Sequence, residues 1–246
     1  MKLWGWIIGG VVVATAAASV GAAQPRPRAA APRAAVGQPV VVELFTAQGC
    51  AGCPEANRVV EAASSEPGVI ALTYAVDYWD YLGWEDTFAK PEFTQRQRSY
   101  RQALRLRSVE TPQVVVDGRR PVSGARPPEL QAAIDAEALR RTAPPEIEFR
   151  QSGDRVGVGS GAAPAGGAEV WAVVYRPGLQ EVTVQGGDNR GQVVRHVNVV
   201  KRLRRLGDWT GRPVLYALPA GVADGEAVAV LVQAKSDRRI LTAATN

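Results

Sequence analysis

Histidine is nearly absent from this chain, and cysteine almost so: one histidine, His196, and two cysteines in 246 residues. A single imidazole excludes a His-rich metal site within one chain. Two cysteines exclude a disulfide scaffold, which staples distant segments with several bridges. Methionine occurs once, at Met1. A strong excess of charge is missing too. The net charge is +5, and Arg26, Arg28 and Arg33 fall in one Pro/Ala-rich stretch. Charge alone therefore gives no reason to expect nucleic acid as a partner.

What is present begins with an export-type segment. Met1-Lys2 is a positive start, Leu3 to Ala18 is apolar, and small residues follow to Ala23. This is the three-region order of a signal peptide, expected over 1–23 and cleaved after Ala23. The rival reading is an uncleaved membrane helix, since Leu3 to Ala23 carries no charge and is barely long enough to span. Membrane contact is expected only in that case. Either way the rest of the chain is expected in an oxidising, periplasmic or secreted setting. Residues 24–39, rich in Pro, Ala and Arg, read as a linker.

The two cysteines lie three positions apart, in Cys50-Ala51-Gly52-Cys53. A bridge between them closes a tiny loop and constrains the unfolded chain little. Reactivity is a better reason for the pair than stability. Val40 to Phe45 is a β-branched apolar run, expected as a buried strand. Ala56, Val59, Val60 and Ala63 follow at helical spacing, with Pro54 tolerated in the first turn. The pair thus sits between a strand and a helix. A helix N-terminus offers free N–H groups and a positive dipole end, both of which stabilise a thiolate. Cys50, expected as the more exposed sulfur, is the candidate nucleophile; Cys53 would resolve the mixed disulfide. Two other readings stand beside this one: a tight structural disulfide, and a Cu(I) site of two thiolates that lacks nearby Met or His ligands.

Val69 to Val76 reads as a second strand and Phe93 to about Arg107 as a helix. Val114 to Val116 and Pro121 to Ser123 flank an Asp117-Gly118 hairpin turn, and a last helix follows Pro127-Pro128. Ala143-Pro144-Pro145 marks a boundary, which sets a domain at 40–143 against a β-rich one at 146–246. The latter shows short strands separated by Gly, Asn, Asp and Pro, as in an antiparallel sandwich or barrel.

Several segments have competing readings. Asp77 to Phe88 carries Tyr78, Trp79, Tyr81, Trp84 and Phe88 among acids. It is either an aromatic packing loop or one wall of a groove for a peptide or glycan. Asp77 is the candidate proton relay to Cys53. Arg96, Arg98, Arg101, Arg105 and Arg107 read as a solvated helix face. Gly186 to Gly191 lacks the Lys-Ser/Thr of a phosphate loop and reads as a turn between strands.

The run Glu43-Leu44-Phe45-Thr46-Ala47-Gln48-Gly49-Cys50-Ala51-Gly52-Cys53-Pro54 resembles the opening motif of an exported bacterial family, domain of unknown function 1223. Val76 to Gly83-Trp84, Phe93 to Gln97, Thr111-Pro112-Gln113, Gly187 to Gly191 and Asn198-Val199-Val200 resemble later blocks of that family. The resemblance implies an α/β thioredoxin-like fold for the N-terminal domain, followed by a mostly antiparallel, sandwich-like C-terminal domain. It implies no known reaction. Thr111-Pro112 resembles the Thr/cis-Pro element that faces the cysteines in thioredoxin-like proteins. There it would shape the edge on which a substrate chain pairs. The dipeptide Ala51-Gly52 departs from thioredoxin itself, so a reduction potential does not transfer. Together these readings point to an exported thiol-disulfide oxidoreductase or redox partner. Its expected substrate is a protein or a small thiol or disulfide, with no cofactor and no metal. The alternative is a redox-inert binding module.

Overall fold

The computed structural model describes Met1, residues 38–140 and residues 143–246. The export and linker expectations fall, but for Met1, Gln38 and Pro39, on residues outside these. The described residues from 38 to 246 form one compact unit. Among the described residues no helix is long and apolar enough to cross a membrane.

The chain enters on strand β1 (Val40–Thr46), turns through the cysteine pair, and forms helix α1 (Cys53–Ser64). Strand β2 (Val69–Ala75) then pairs parallel to β1, with Val40 opposite Val69 and Thr46 opposite Ala75. A 3-10 turn at Asp80–Leu82 precedes helix α2 (Pro91–Ala103). Strands β3 (Gln113–Val116) and β4 (Arg120–Val122) form an antiparallel hairpin, with β3 also antiparallel to β1. Both turn residues, Asp117 and Gly118, have positive φ, as a tight hairpin of this hand requires. Helix α3 (Pro127–Ala138) follows.

All seven residues of β1 are buried, so both its faces are covered. Alternation sorts them. Val40, Val42 and Leu44 face α1 and α3, against Val59, Val60, Leu130 and Ile134. Val41 and Phe45 face the other side, against Tyr74, Phe93 and Tyr100. Phe45 stacks on Tyr74 at 5.3 Å between ring centroids, and Tyr74 meets Phe93 edge-on at 5.5 Å. Glu43 falls on this second face by the same period and must find a partner there.

The second half of the chain does not make a separate sheet. Strands β5 (Ile147–Phe149), β6 (Arg155–Val158) and β9 (Val214–Ala217) form a small antiparallel sheet. Strands β7 (Ala168–Thr183), β8 (Val193–Trp209), β10 (Ala227–Ala234) and β11 (Ile240–Thr245) join the first half in one eight-stranded sheet. Its order is β11-β10-β7-β8-β2-β1-β3-β4. The expected boundary at Ala143-Pro144-Pro145 therefore separates helical from β-rich sequence, not two independent sheets. The sandwich-like expectation holds locally, where Val156, Val158 and Tyr216 of the small sheet pack on Val170, Ala172, Val228 and Val230 of the large one.

Where short strands were expected, residues 168–183 form one sixteen-residue strand, β7. The register shift between Arg176 and Leu179 absorbs Pro177-Gly178 as a bulge, so the pair bends the strand without ending it. Helix α2 stops at Ala103, short of the expected Arg107, and Arg105 takes a positive φ just beyond it.

The joint between the halves is narrow. Strand β2 meets β8 through the single register pair Thr73 and Val199. Side chains close the rest of the seam. Thr73 Oγ1 donates to the Val197 carbonyl at 2.6 Å, and Asn198 Nδ2 donates to the Ala71 carbonyl at 3.0 Å. Asn57 Nδ2 reaches from α1 to the Arg195 carbonyl at 2.7 Å. Replacing Thr73 with the isosteric valine leaves a buried carbonyl without its donor. That costs about 1–2 kcal/mol, read as a lower urea midpoint at unchanged slope. A midpoint equal to the wild type would show that the seam does not depend on this hydroxyl.

Candidate functional site

Strand β1 ends at Thr46, and the chain then tightens. The Cys50 N–H donates to the Ala47 carbonyl at 3.3 Å, and the Cys53 N–H to the Cys50 carbonyl at 3.1 Å. Cys53 is the first residue of α1 and Cys50 lies one turn before it. The two form a disulfide across a Cα–Cα distance of 5.4 Å. Cys50 is 2% exposed and Cys53 0%, so the expected difference in exposure is very small. The residues between them, Ala51 and Gly52, are the exposed ones.

Thr111-Pro112 is a cis peptide bond immediately before β3. Pro112 faces the cysteine turn: a Cβ built on Gly52 would lie 3.4 Å from Pro112 Cδ. Trp79 Nε1 donates to Thr111 Oγ1 at 2.6 Å. Trp84 Nε1 donates to Gln48 Oε1 at 2.8 Å, two residues before Cys50. Thr111, Pro112, Trp79 and Trp84 are thus gathered around the pair. Asp77 lies two residues beyond β2, its carboxylate accepting from Thr94 Oγ1 of α2 at 2.6 Å.

Three residues near the site were not singled out from sequence. Gln48 is fully buried, and its Nε2 donates to Thr87 Oγ1 at 2.9 Å while its N–H donates to Asp86 Oδ2 at 2.7 Å. Asp86 also accepts from the Phe88 N–H at 2.9 Å, and burial pushes its carboxyl up to about 6. Asn189 donates to the Gln48 and Cys50 carbonyls from 141 and 139 residues along the chain. The 186–191 glycine run carries that contact, but a local turn signature says nothing about what the turn touches.

The basic cluster is not one solvated face. Arg96 is buried against Glu43, whereas Arg98 and Arg101 are exposed. His196 lies in β8, buried, edge-on to Phe88 at 5.5 Å. Among the described residues no three His, Cys, Asp or Glu side chains cluster as a metal site would need.

Fold and site together define a mixed α/β protein with a Cys-x-x-Cys disulfide between its first strand and first helix. The chain belongs to the family described as protein of unknown function (DUF1223), whose model matches residues 41–233. It is similar to the crystal structure of protein AGR_C_4864 from Agrobacterium tumefaciens at 33% identity and a TM-score of 0.70. That match covers 84% of this chain and 92% of the other. It is also similar to HBP35 of Porphyromonas gingivalis at 16% identity and a TM-score of 0.58, over 87% of this chain and 76% of that one. The second likeness bears on the fold alone. No protein with a curated description matches the chain.

Proposed function

We propose that this protein is an exported thiol-disulfide oxidoreductase, or redox partner, on a thioredoxin-like frame. The observation that carries the reading is the Cys50–Cys53 disulfide between β1 and α1, with the cis Pro112 facing its turn. The parallel β1-α1-β2 unit followed by the antiparallel β3–β4 hairpin and α3 supports the frame. The apolar segment after Met1-Lys2 supports export.

In this reading a substrate thiolate attacks Cys50 Sγ. The Cys50–Cys53 bond breaks and Cys53 leaves as a thiolate. A second substrate thiol then displaces Cys50, so the substrate becomes a disulfide and the protein a dithiol. Thr111 and Pro112 form the edge that holds the substrate, and Asp77 relays a proton to Cys53. Burial of both cysteines favours the second reading, a structural bridge in a binding module.

Equilibration with glutathione separates the two. A redox centre exchanges, loses exchange in Cys50→Ser, and accumulates a mixed disulfide at Cys50 in Cys53→Ser. A pair that stays oxidised below about −300 mV and exchanges with nothing is structural, and the oxidoreductase reading then fails. Asp77→Asn should slow exchange and shift its pH profile; an unchanged profile removes the relay.

A further inference from the structure

The turn between β7 and β8 does more than join them. Asn189 Nδ2 donates to the Gln48 and Cys50 carbonyls, each at 2.8 Å. The Asp188 N–H donates to the Gly49 carbonyl between them at 3.1 Å. Three successive carbonyls leading into the disulfide are therefore held by one turn. The backbones also touch. A Cβ on Gly187, whose φ is +68, would lie 2.9 Å from Gly49 Cα. One on Gly186 would lie 2.7 Å from the Gly83 carbonyl oxygen in the Asp77–Phe88 segment. The turn is thus wedged between the cysteine loop and the aromatic loop. It is braced from within, since the Gly191 N–H donates to the Val184 carbonyl at 2.8 Å and the Gln192 N–H to the Asn189 carbonyl at 3.0 Å. Asn189 is 2% exposed, as is Cys50.

We propose that Asn189 is a positioning residue for Cys50: the Gly186–Gly191 turn clamps the Gln48–Cys50 backbone, and attack on the Cys50 sulfur requires the clamp to open. The amide suits this task because both its N–H bonds are used, one on each carbonyl. A carboxylate of the same shape would present acceptors to acceptors. The inference rests on the oxidoreductase reading and deepens it by naming what limits access to the sulfur that the substrate thiolate attacks.

The test measures the rate at which dithiothreitol reduces the disulfide in the folded full chain, well below its Tm. One dithiothreitol thiolate attacks Cys50 Sγ and expels Cys53. Its second thiol then closes the cyclic disulfide and expels Cys50. Asn189→Ala and Asn189→Asp should each accelerate reduction by about tenfold, the factor for losing one to two net hydrogen bonds from the closed state. Gly187→Ala, which pushes the turn off Gly49 while keeping the Asn189 amide, should do the same. Gln192→Ala, exposed on the same hairpin, should leave the rate unchanged. A merely structural role for Asn189 would lower Tm and leave the reduction rate and the pH profile of Cys50 alkylation as in the wild type. That result overturns the clamp and leaves the oxidoreductase reading standing. Faster reduction in the variants of a protein that never exchanges with glutathione supports the clamp and sinks the oxidoreductase reading.

Discussion

Arg96→Met should destabilise the protein by about 3–5 kcal/mol, the cost of leaving a buried carboxylate unpaired. Arg96 Nε and Nη2 donate to the two oxygens of Glu43 at 2.7 and 3.0 Å, with side chains only 3% and 0% exposed. Nη2 also meets Tyr100 Oη at 3.1 Å, and Nη1 meets Gln233 Oε1 at 3.3 Å. Tyr100 donates to Glu43, and Gln233 Nε2 donates to Tyr100 Oη at 2.8 Å. The guanidinium lies over the Tyr100 and Tyr74 rings at 5.2 and 5.7 Å. Burial works against the charge of Arg96, yet Glu43 and the two phenols outweigh it and hold the group above its ordinary range. The network ties helix α2 to β1 and β10, two strands far apart in sheet order.

A double-mutant cycle in urea is the measurement. Glu43→Gln alone should cost a similar amount, because it strands the cation instead. The pair of substitutions should cost less than the sum of the singles by at least ~2 kcal/mol. Additive singles would show that the two side chains do not act as a unit.

The largest pH effect should come from two buried groups that oppose each other. Burial pushes the His196 imidazole down from 6.5 to about 4, against a smaller opposing contribution from the Val194 backbone. As pH falls through that window the unfolded chain takes up a proton that the folded chain refuses. Stability is lost from about pH 6.5 to pH 4, by about 3 kcal/mol in all. Asp86 acts the other way. Burial raises it from 3.8 to about 6, so the folded chain is the better proton acceptor between those values. Its contribution is fully present below about pH 4 and lost as pH rises through 6.

The wild type should therefore hold nearly constant stability between pH 6 and 4. His196→Phe should become more stable as pH falls through that range, and Asp86→Asn less stable. Urea midpoints at pH 7, 6, 5 and 4 for the three proteins check this. Parallel profiles would show that neither group titrates abnormally in the fold.

The cysteine site was largely legible in sequence because its signals are local. A β-branched run, two cysteines, a proline at the helix start and apolar residues at helical spacing all fall within Val40 to Ala63. The Asp117-Gly118 turn was legible for the same reason, whereas the Thr111-Pro112 element was legible through the family resemblance. Strand β8 was legible only in part. Val193 to Lys201 reads as a strand, yet the strand runs on to Trp209 through Arg202-Leu203-Arg204-Arg205, where half-buried and exposed positions can carry charge. Arg96 reads as one of five surface arginines because its partner, Glu43, lies 53 residues earlier.

The sequence by itself determined the elements around Cys50 and Cys53, since periodicity, turn chemistry and cysteine spacing act within a dozen residues. Only the tertiary structure decided that β8 closes against β2, that Arg96 is buried, and that Asn189 reaches the Cys50 carbonyl. Each of these depends on a buried polar group finding a partner brought near by the folded sheet. Local pattern states that such a group needs a partner; it does not state which residue supplies one.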